Sequence, residues 1–97
     1  MRTPEGIVKD EVKRYLKSIG AYIFFPVQTG YGAATLDILC CVRGYFIGIE
    51  CKRGDKIVQP SERQRKVINE IIECGGHAFV ARSGKDVENF LKDHGIV

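Results

Sequence analysis

"LDILCCVRGYFIGIECK", residues 36–52, holds two apolar, β-forming runs separated only by Arg43 and Gly44. That spacing predicts an antiparallel hairpin, with strands over "LDILCCV" and "YFIGIECK". Folding the runs about the Arg43-Gly44 turn brings residues near 37 opposite residues near 50. Side chains alternate along a strand, so Glu50 and Lys52 share one face while Ile49 and Cys51 share the other. Asp37 and Glu50 therefore become neighbours at the end of the hairpin far from the turn. Two carboxylates in one place repel unless positive charge lies between them, and Lys52 alone is poorly suited to hold both. A divalent cation with oxygen ligands meets the need. Mg²⁺ takes one or two protein carboxylates and completes its shell with water and phosphate oxygen.

The flanking sequence supplies the remaining elements. Val8, Val12, Tyr15, Leu16 and Ile19 recur at helical spacing with Lys9, Asp10, Lys13 and Arg14 opposite them, so Pro4 to Ile19 reads as an amphipathic helix closed by Gly20. "AYIFFPVQ" reads as a strand whose Pro26 suits an edge or a bulge, and "TGYGAAT" as a loop, since its two close glycines suit tight turns. After the hairpin, "KRGDKIVQ" is a polar excursion. A second helix starts near Ser61 and carries Val67, Ile68, Ile71 and Ile72 inward until "CGG" ends it. "HAFVAR" is a short strand, and Ser83 with Asp86 three residues later caps a last helix bearing Val87, Phe90 and Leu91. The order is α-β-β-β-α-β-α, without a repeat or a linker.

Ninety-seven residues suffice for one modest core, so residues 1–97 are expected to form a single domain. An apolar share of 44% with 28% charged residues places the chain among folding sequences rather than disordered ones. No apolar run approaches the length of a membrane span, and "MRTPEGIVKDEVKRYL" lacks a secretory apolar stretch, so a cytoplasmic location without a membrane partner is expected. Cys40, Cys41, Cys51 and Cys74 form no CxxC pair or Cys/His cluster, and are expected to be reduced and mostly buried. The net charge of +3 permits a nucleic-acid partner without requiring one.

Asp37 followed by Glu50-x-Lys52 after a hairpin turn resembles the PD-(D/E)XK nuclease superfamily, and the layout is most similar to its small phage-type branch, the virus-type replication-repair nucleases (VRR-Nuc). The resemblance spans nearly the whole chain: a glutamate opening the first helix, "TGYGAATLD", "GIECKRG", and "PSERQ" starting the second helix. Leu36 stands where the family usually has a proline before the aspartate. The resemblance implies a restriction-endonuclease-like α/β core with a mixed sheet flanked by helices, and, for a phage-encoded chain, the host cytoplasm. Helical geometry bears on the same residues separately. At ~100° per residue, Glu5 falls about 35° from the centre of the first helix's apolar face and Glu11 about 85° from it, while Gln64 falls within about 10° of the second helix's apolar centre. Glu5 and Gln64 are thus expected to point inward and Glu11 not, and the family carries a glutamate and a glutamine at the two inward positions.

Plainer readings stand beside these. Glu5 suits the positive end of a helix dipole, Gln64 completes a capping box with Ser61, Asp37 suits a turn cap, and Glu50 with Lys52 suits an ion pair on a wet strand. As a set, the residues point to Mg²⁺- or Mn²⁺-dependent hydrolysis of phosphodiester bonds in DNA. In that reading Asp37, Glu50, the Cys51 backbone carbonyl and Glu5, directly or through water, hold the metal. Lys52 orients or deprotonates the attacking water, and Gln64 holds Lys52 or the water in place. No organic cofactor is implied. Thr29, Gly30, Tyr31 and Gly32 are expected to wrap the DNA backbone, and Lys56, Arg63, Arg65 and Lys66 to meet phosphates, although a solvated helix face also accounts for the basic residues. With no room for a sequence-reading domain, the expected substrate is DNA of particular shape, a junction or a flap, cut by a homodimer in replication, recombination or repair. A binding module without turnover, or an accessory subunit with the same fold, remains the alternative.

Overall fold

The computed structural model describes residues 2–27 and 34–97. Seven elements follow in the order α1 (Pro4–Ser18), β1 (Tyr22–Phe24), β2 (Ile38–Val42), β3 (Tyr45–Cys51), α2 (Glu62–Glu73), β4 (His77–Ala81) and α3 (Gly84–Asp93). Local chemistry sets the boundaries. The Thr3 hydroxyl accepts the Gly6 N–H and Pro4 starts α1, while Ser61 and Ser83 cap α2 and α3 in the same way. Arg43 and Gly44 both have positive φ, 50° and 87°, as a two-residue hairpin turn of the type matched to strand twist requires. The first strand is shorter than its sequence suggests. Pairing stops at Phe24, two residues before Pro26, which has no N–H to give a ladder.

The sheet runs β1-β2-β3-β4, with antiparallel pairs on either side of β2 and a parallel β3-β4 pair joined through α2. It is the mixed sheet flanked by helices of a restriction-endonuclease-like α/β fold. Ile38, Cys40, Val42, Ile47, Ile49 and Cys51 pack on one face against Val8, Val12 and Leu16 of α1 and Val87 and Leu91 of α3. On the other face Leu36, Val67 and Ala78 form a smaller core beneath α2. Gly48 lets α2 lie this close, since a Cβ there would come within 2.8 Å of Ile71 and 2.9 Å of Leu36. The same core gives Leu36 its place as a fully buried apolar side chain.

Two sequence expectations need correction here. All four cysteines are free, but only Cys40 and Cys51 are buried, and Cys41 and Cys74 are exposed. Ile72, expected to face inward, has 51% of its surface exposed. Layering accounts for Cys41: among the described residues, α2 packs on β3 and β4 and leaves the same face of β1 and β2 open, while Ile72 stands ~100° round the helix from Ile71, at the edge of the packed stripe. Among the described residues, no helix is long and apolar enough to cross a membrane.

Candidate metal centre

The register carries the expected pairing of acids. Ile38 lies opposite Ile49, so Asp37 and Glu50 are the next step along the antiparallel pair. Asp37 sits just before β2, and its Oδ2 accepts the Cys51 N–H at 2.9 Å. It ties the open end of the hairpin and does not serve merely as a cap for its own loop. Glu50 is the one buried charged side chain among the described residues, with 2% exposure. Glu5 enters from the first turn of α1, in the opposite layer, at the end of the sheet where β3 finishes. One carboxylate oxygen from each of Glu5, Asp37 and Glu50 lies within 4.8 Å of the other two.

Gln64 settles how a cap and a site contact coexist. Its Oε1 accepts the Ser61 N–H at 2.8 Å and its own N–H donates to the Ser61 hydroxyl at 3.1 Å, which completes the capping box. Its Nε2, still free, donates to Glu50 Oε2 at 2.8 Å. Gln64 therefore holds Glu50, where the sequence reading had it holding Lys52 or a water. Lys52 is mostly buried, and its Nζ lies 3.6 Å from the same Glu50 oxygen. The pair exists, yet it is not on a wet strand.

The other oxygen, Glu50 Oε1, is buried without any hydrogen-bond partner. An orphaned buried carboxylate oxygen is costly, and burial, followed by the Asp37 carboxylate, pushes the Glu50 pKa up to about 7 despite the opposing effect of Lys52. A divalent cation matches this donor set, which is oxygen-rich, doubly to triply anionic and one ligand short of satisfied. The Cys51 side chain does not compete for it. Burial and then Asp37 push that thiol up to about 12, so it stays neutral in the core and leaves only its backbone carbonyl for a ligand role.

Sequence reasoning missed Lys9. Its Nζ lies 3.4 Å from Asp37 Oδ1, and although burial works against the ammonium, Asp37 and then Glu5 hold its pKa above the ordinary lysine value. The signal was present: Lys9 stands four residues after Glu5, on the same face of α1. In the metal-free protein its ammonium partly balances the acids, so a cation entering the cluster competes with it. Lys9→Met is expected to tighten Mn²⁺ binding several-fold by calorimetry, within the ~0–1 kcal/mol of a half-exposed ion pair; unchanged affinity would remove Lys9 from the site.

Glu11 is turned away from the acids, as expected, but it is not a solvated residue. Its Oε1 accepts the Gly84 N–H at 3.0 Å, at the positive end of α3. Glu11→Gln keeps an acceptor but loses the charge, so a cost of ~0.3–1 kcal/mol in stability is expected by thermal melting, with cleavage untouched. Glu5→Gln is expected to do the reverse, and greater damage to cleavage from Glu11→Gln would invert the assignment.

Among the remaining candidates, Thr29, Gly30, Tyr31 and Gly32 lie outside the described residues. Lys56, Arg63, Arg65 and Lys66 are exposed on the segment before α2 and on α2 itself, and none is in an ion pair within the described residues. A search of solved structures finds a VRR_NUC domain 26% identical to this chain, covering 96% of it and 98% of its own length, with a TM-score of 0.76. No model of a known protein family matches the chain, and no curated protein does. Over nearly its whole length the chain is thus similar in fold and in sequence to a VRR_NUC domain.

Proposed function

We propose that residues 1–97 act as one metal-dependent DNA endonuclease domain that hydrolyses phosphodiester bonds, selects junction or flap DNA by shape, and works as a homodimer in replication, recombination or repair. The observation that carries this reading is the buried, unpartnered Oε1 of Glu50 beside Asp37 and Glu5. Glu5, Asp37, Glu50 and the Cys51 carbonyl would hold Mg²⁺ or Mn²⁺. When bound, such a cation supplies Lewis acidity, which lowers the pKa of water and offsets charge growing on the phosphate.

The chain's own groups do the positioning. Gln64 fixes Glu50 through Oε2 and leaves Oε1 free for a ligand role. The Cys51 N–H fixes Asp37 in the same way. Lys52, anchored beside Glu50, orients the attacking water and meets the non-bridging phosphate oxygens, as an ammonium with three donors can. Lys56, Arg63, Arg65, Lys66 and the Thr29 to Gly32 stretch contact the DNA backbone, where positive charge and N–H donors give affinity without reading sequence. A four-way junction cut symmetrically needs two such sites about a two-fold axis, and a chain of this size supplies them most simply as two copies.

Asp37→Asn tests the metal centre. The amide oxygen can still accept the Cys51 N–H, so the fold is expected to survive while Mn²⁺ binding and cleavage of junction, flap and duplex DNA are lost together. Equal Mn²⁺ affinity in variant and parent by calorimetry would end the ligand assignment. Binding of DNA without cleavage in either metal by the parent would make the chain a binding module.

A further inference from the structure

An antiparallel sheet with one wet face alternates apolar and polar residues, whereas β2 and β3, "ILCCV" and "YFIGIEC", are apolar at nearly every position up to Glu50. They read as strands covered on both sides. Among the described residues the second cover is incomplete. Tyr22 pairs with Cys41, Phe24 with Leu39, and Cys41 in turn with Phe46, so these five side chains share the face of the sheet that α2 leaves open. Tyr22 is 76% exposed, and Phe24 and Phe46 each 48%. The face holds two adjoining hollows of about 320 and 330 Å³ that meet at Phe46, the second walled by Glu70, Ile71 and Cys74 of α2 and its end.

Charge decides what kind of occupant fits. Exposed aromatics on a sheet can serve as a stacking platform for bases, but such platforms are interleaved with cations that track the phosphates. Here no Lys or Arg lines either hollow among the described residues, and the one charged lining residue, Glu70, is acidic. Nucleic acid and an anionic lipid surface are both disfavoured, which leaves an apolar protein surface. Area decides its scale. Three half-exposed or more exposed aromatics, with Leu39, Cys41, Ile71 and Cys74, offer roughly 400–500 Å² of apolar surface, close to the apolar share of the ~800 Å² that each partner contributes to a standard interface.

We infer that this face is where a second copy of the chain packs. Each copy carries both halves of the contact: a floor of Tyr22, Phe24, Leu39 and Phe46, and beside it the rib of α2 with Ile71 and Cys74 on the flank that borders the floor. A two-fold axis lets the rib of one copy lie on the floor of the other, as an isologous interface demands. Phe46, Gly48 and Glu50 alternate along the same face of β3, so the interface adjoins the acidic cluster and holds the two clusters in fixed relation. The inference rests on the homodimer proposed above and assigns its surface.

Sedimentation velocity of the whole chain over micromolar concentrations tests it. The parent is expected to be a dimer. Tyr22→Lys with Phe46→Lys, at two already exposed positions, is expected to weaken dimerisation by at least roughly 100-fold, since buried aromatic anchors carry most of an interface's energy. Ile57→Lys, also at an exposed apolar residue but one that lines neither hollow, is expected to leave the dimer intact. Each variant's Mn²⁺ affinity and circular dichroism should equal the parent's, which separates lost association from lost folding. Should the doubly substituted variant misfold, alkylation of Cys41 in the parent replaces it, with protection expected at high concentration and lost on dilution. A monomeric parent, a dimer that survives both lysines, or a Cys41 equally reactive at all concentrations would overturn the assignment. A parent that is dimeric through this face yet binds no Mn²⁺ and cuts nothing would sink the nuclease reading alone.

Discussion

Lys52→Met is expected to lower the single-turnover rate of DNA cleavage by roughly 10²–10⁴, the range for a group acting on the proton or position of the attacking water. Three features of the site make the loss one of rate and not of assembly. Asp37, Glu50 and Glu5 remain, so Mn²⁺ binding should persist. Gln64 still holds Glu50 Oε2, so the carboxylate keeps its orientation. One ammonium is a small part of the counter-ion release that drives DNA binding, so affinity in Ca²⁺ should fall only modestly. A structural ion pair predicts a different pattern: a small shift in melting and an unchanged rate. The decisive comparison is cleavage at saturating protein and Mg²⁺ against binding in Ca²⁺. A variant that cuts near the parent rate would reduce Lys52 to a buried partner of Glu50.

The core of this site could be read from sequence because a two-residue hairpin has almost no freedom of register. Once Arg43-Gly44 is the turn, alternation alone sets Asp37 opposite Glu50 and Lys52 on the same face. Gln64 was legible because one helix face and one capping box point to the same side chain. What stayed hidden depends on how elements sit against each other. Glu11 lies on a flank of α1 that meets α3, and periodicity on one helix cannot say that a second helix end waits there. Lys9 was visible as a neighbour of Glu5 but not as a partner of Asp37, because that contact crosses from helix to sheet. Ile72 and Cys41 were read as buried because an apolar stripe says which residues avoid water, and not where its packed edge falls or how far α2 reaches across the sheet.

Cooperation between the two layers also explains why a mostly buried lysine and a buried carboxylate coexist with so little solvent. The ion pair at 3.6 Å is longer than a strong charge-assisted hydrogen bond, and the nearer partner of that Glu50 oxygen is the neutral Gln64 amide. Lys52 is thus held close to Glu50 without being neutralised by it. An ammonium committed to a tight bidentate pair would have only one of its three donors left for a phosphate.

Glu50→Gln should separate stability from metal binding most sharply, moving them in opposite directions. Burial and Asp37 raise the Glu50 pKa from 4.5 to about 7, so the folded metal-free protein holds this proton more firmly than the unfolded chain. Between those values the folded state binds more protons, and stability falls as pH rises; below 4.5 the contribution is fully present, and above about 7 it is gone. A shift of this size corresponds to roughly 3 kcal/mol at most, since 1 pKa unit is 1.36 kcal/mol. In EDTA at pH 8, Glu50→Gln is therefore expected to melt about 5 °C or more above the parent, and the parent's decline between pH 4.5 and 7 should flatten in the variant. The amide can still accept the Gln64 Nε2–H, so that hydrogen bond need not be lost. Adding Mn²⁺ should reverse the order at pH 8. The parent gains ~2.7 kcal/mol at a hundredfold excess over Kd, and the variant, lacking the charged ligand, gains little. Differential melting with and without Mn²⁺ reads both effects in one experiment. A variant less stable than the parent in EDTA would show that the orphaned oxygen already has a partner, and the case for a cation at Glu50 would go with it.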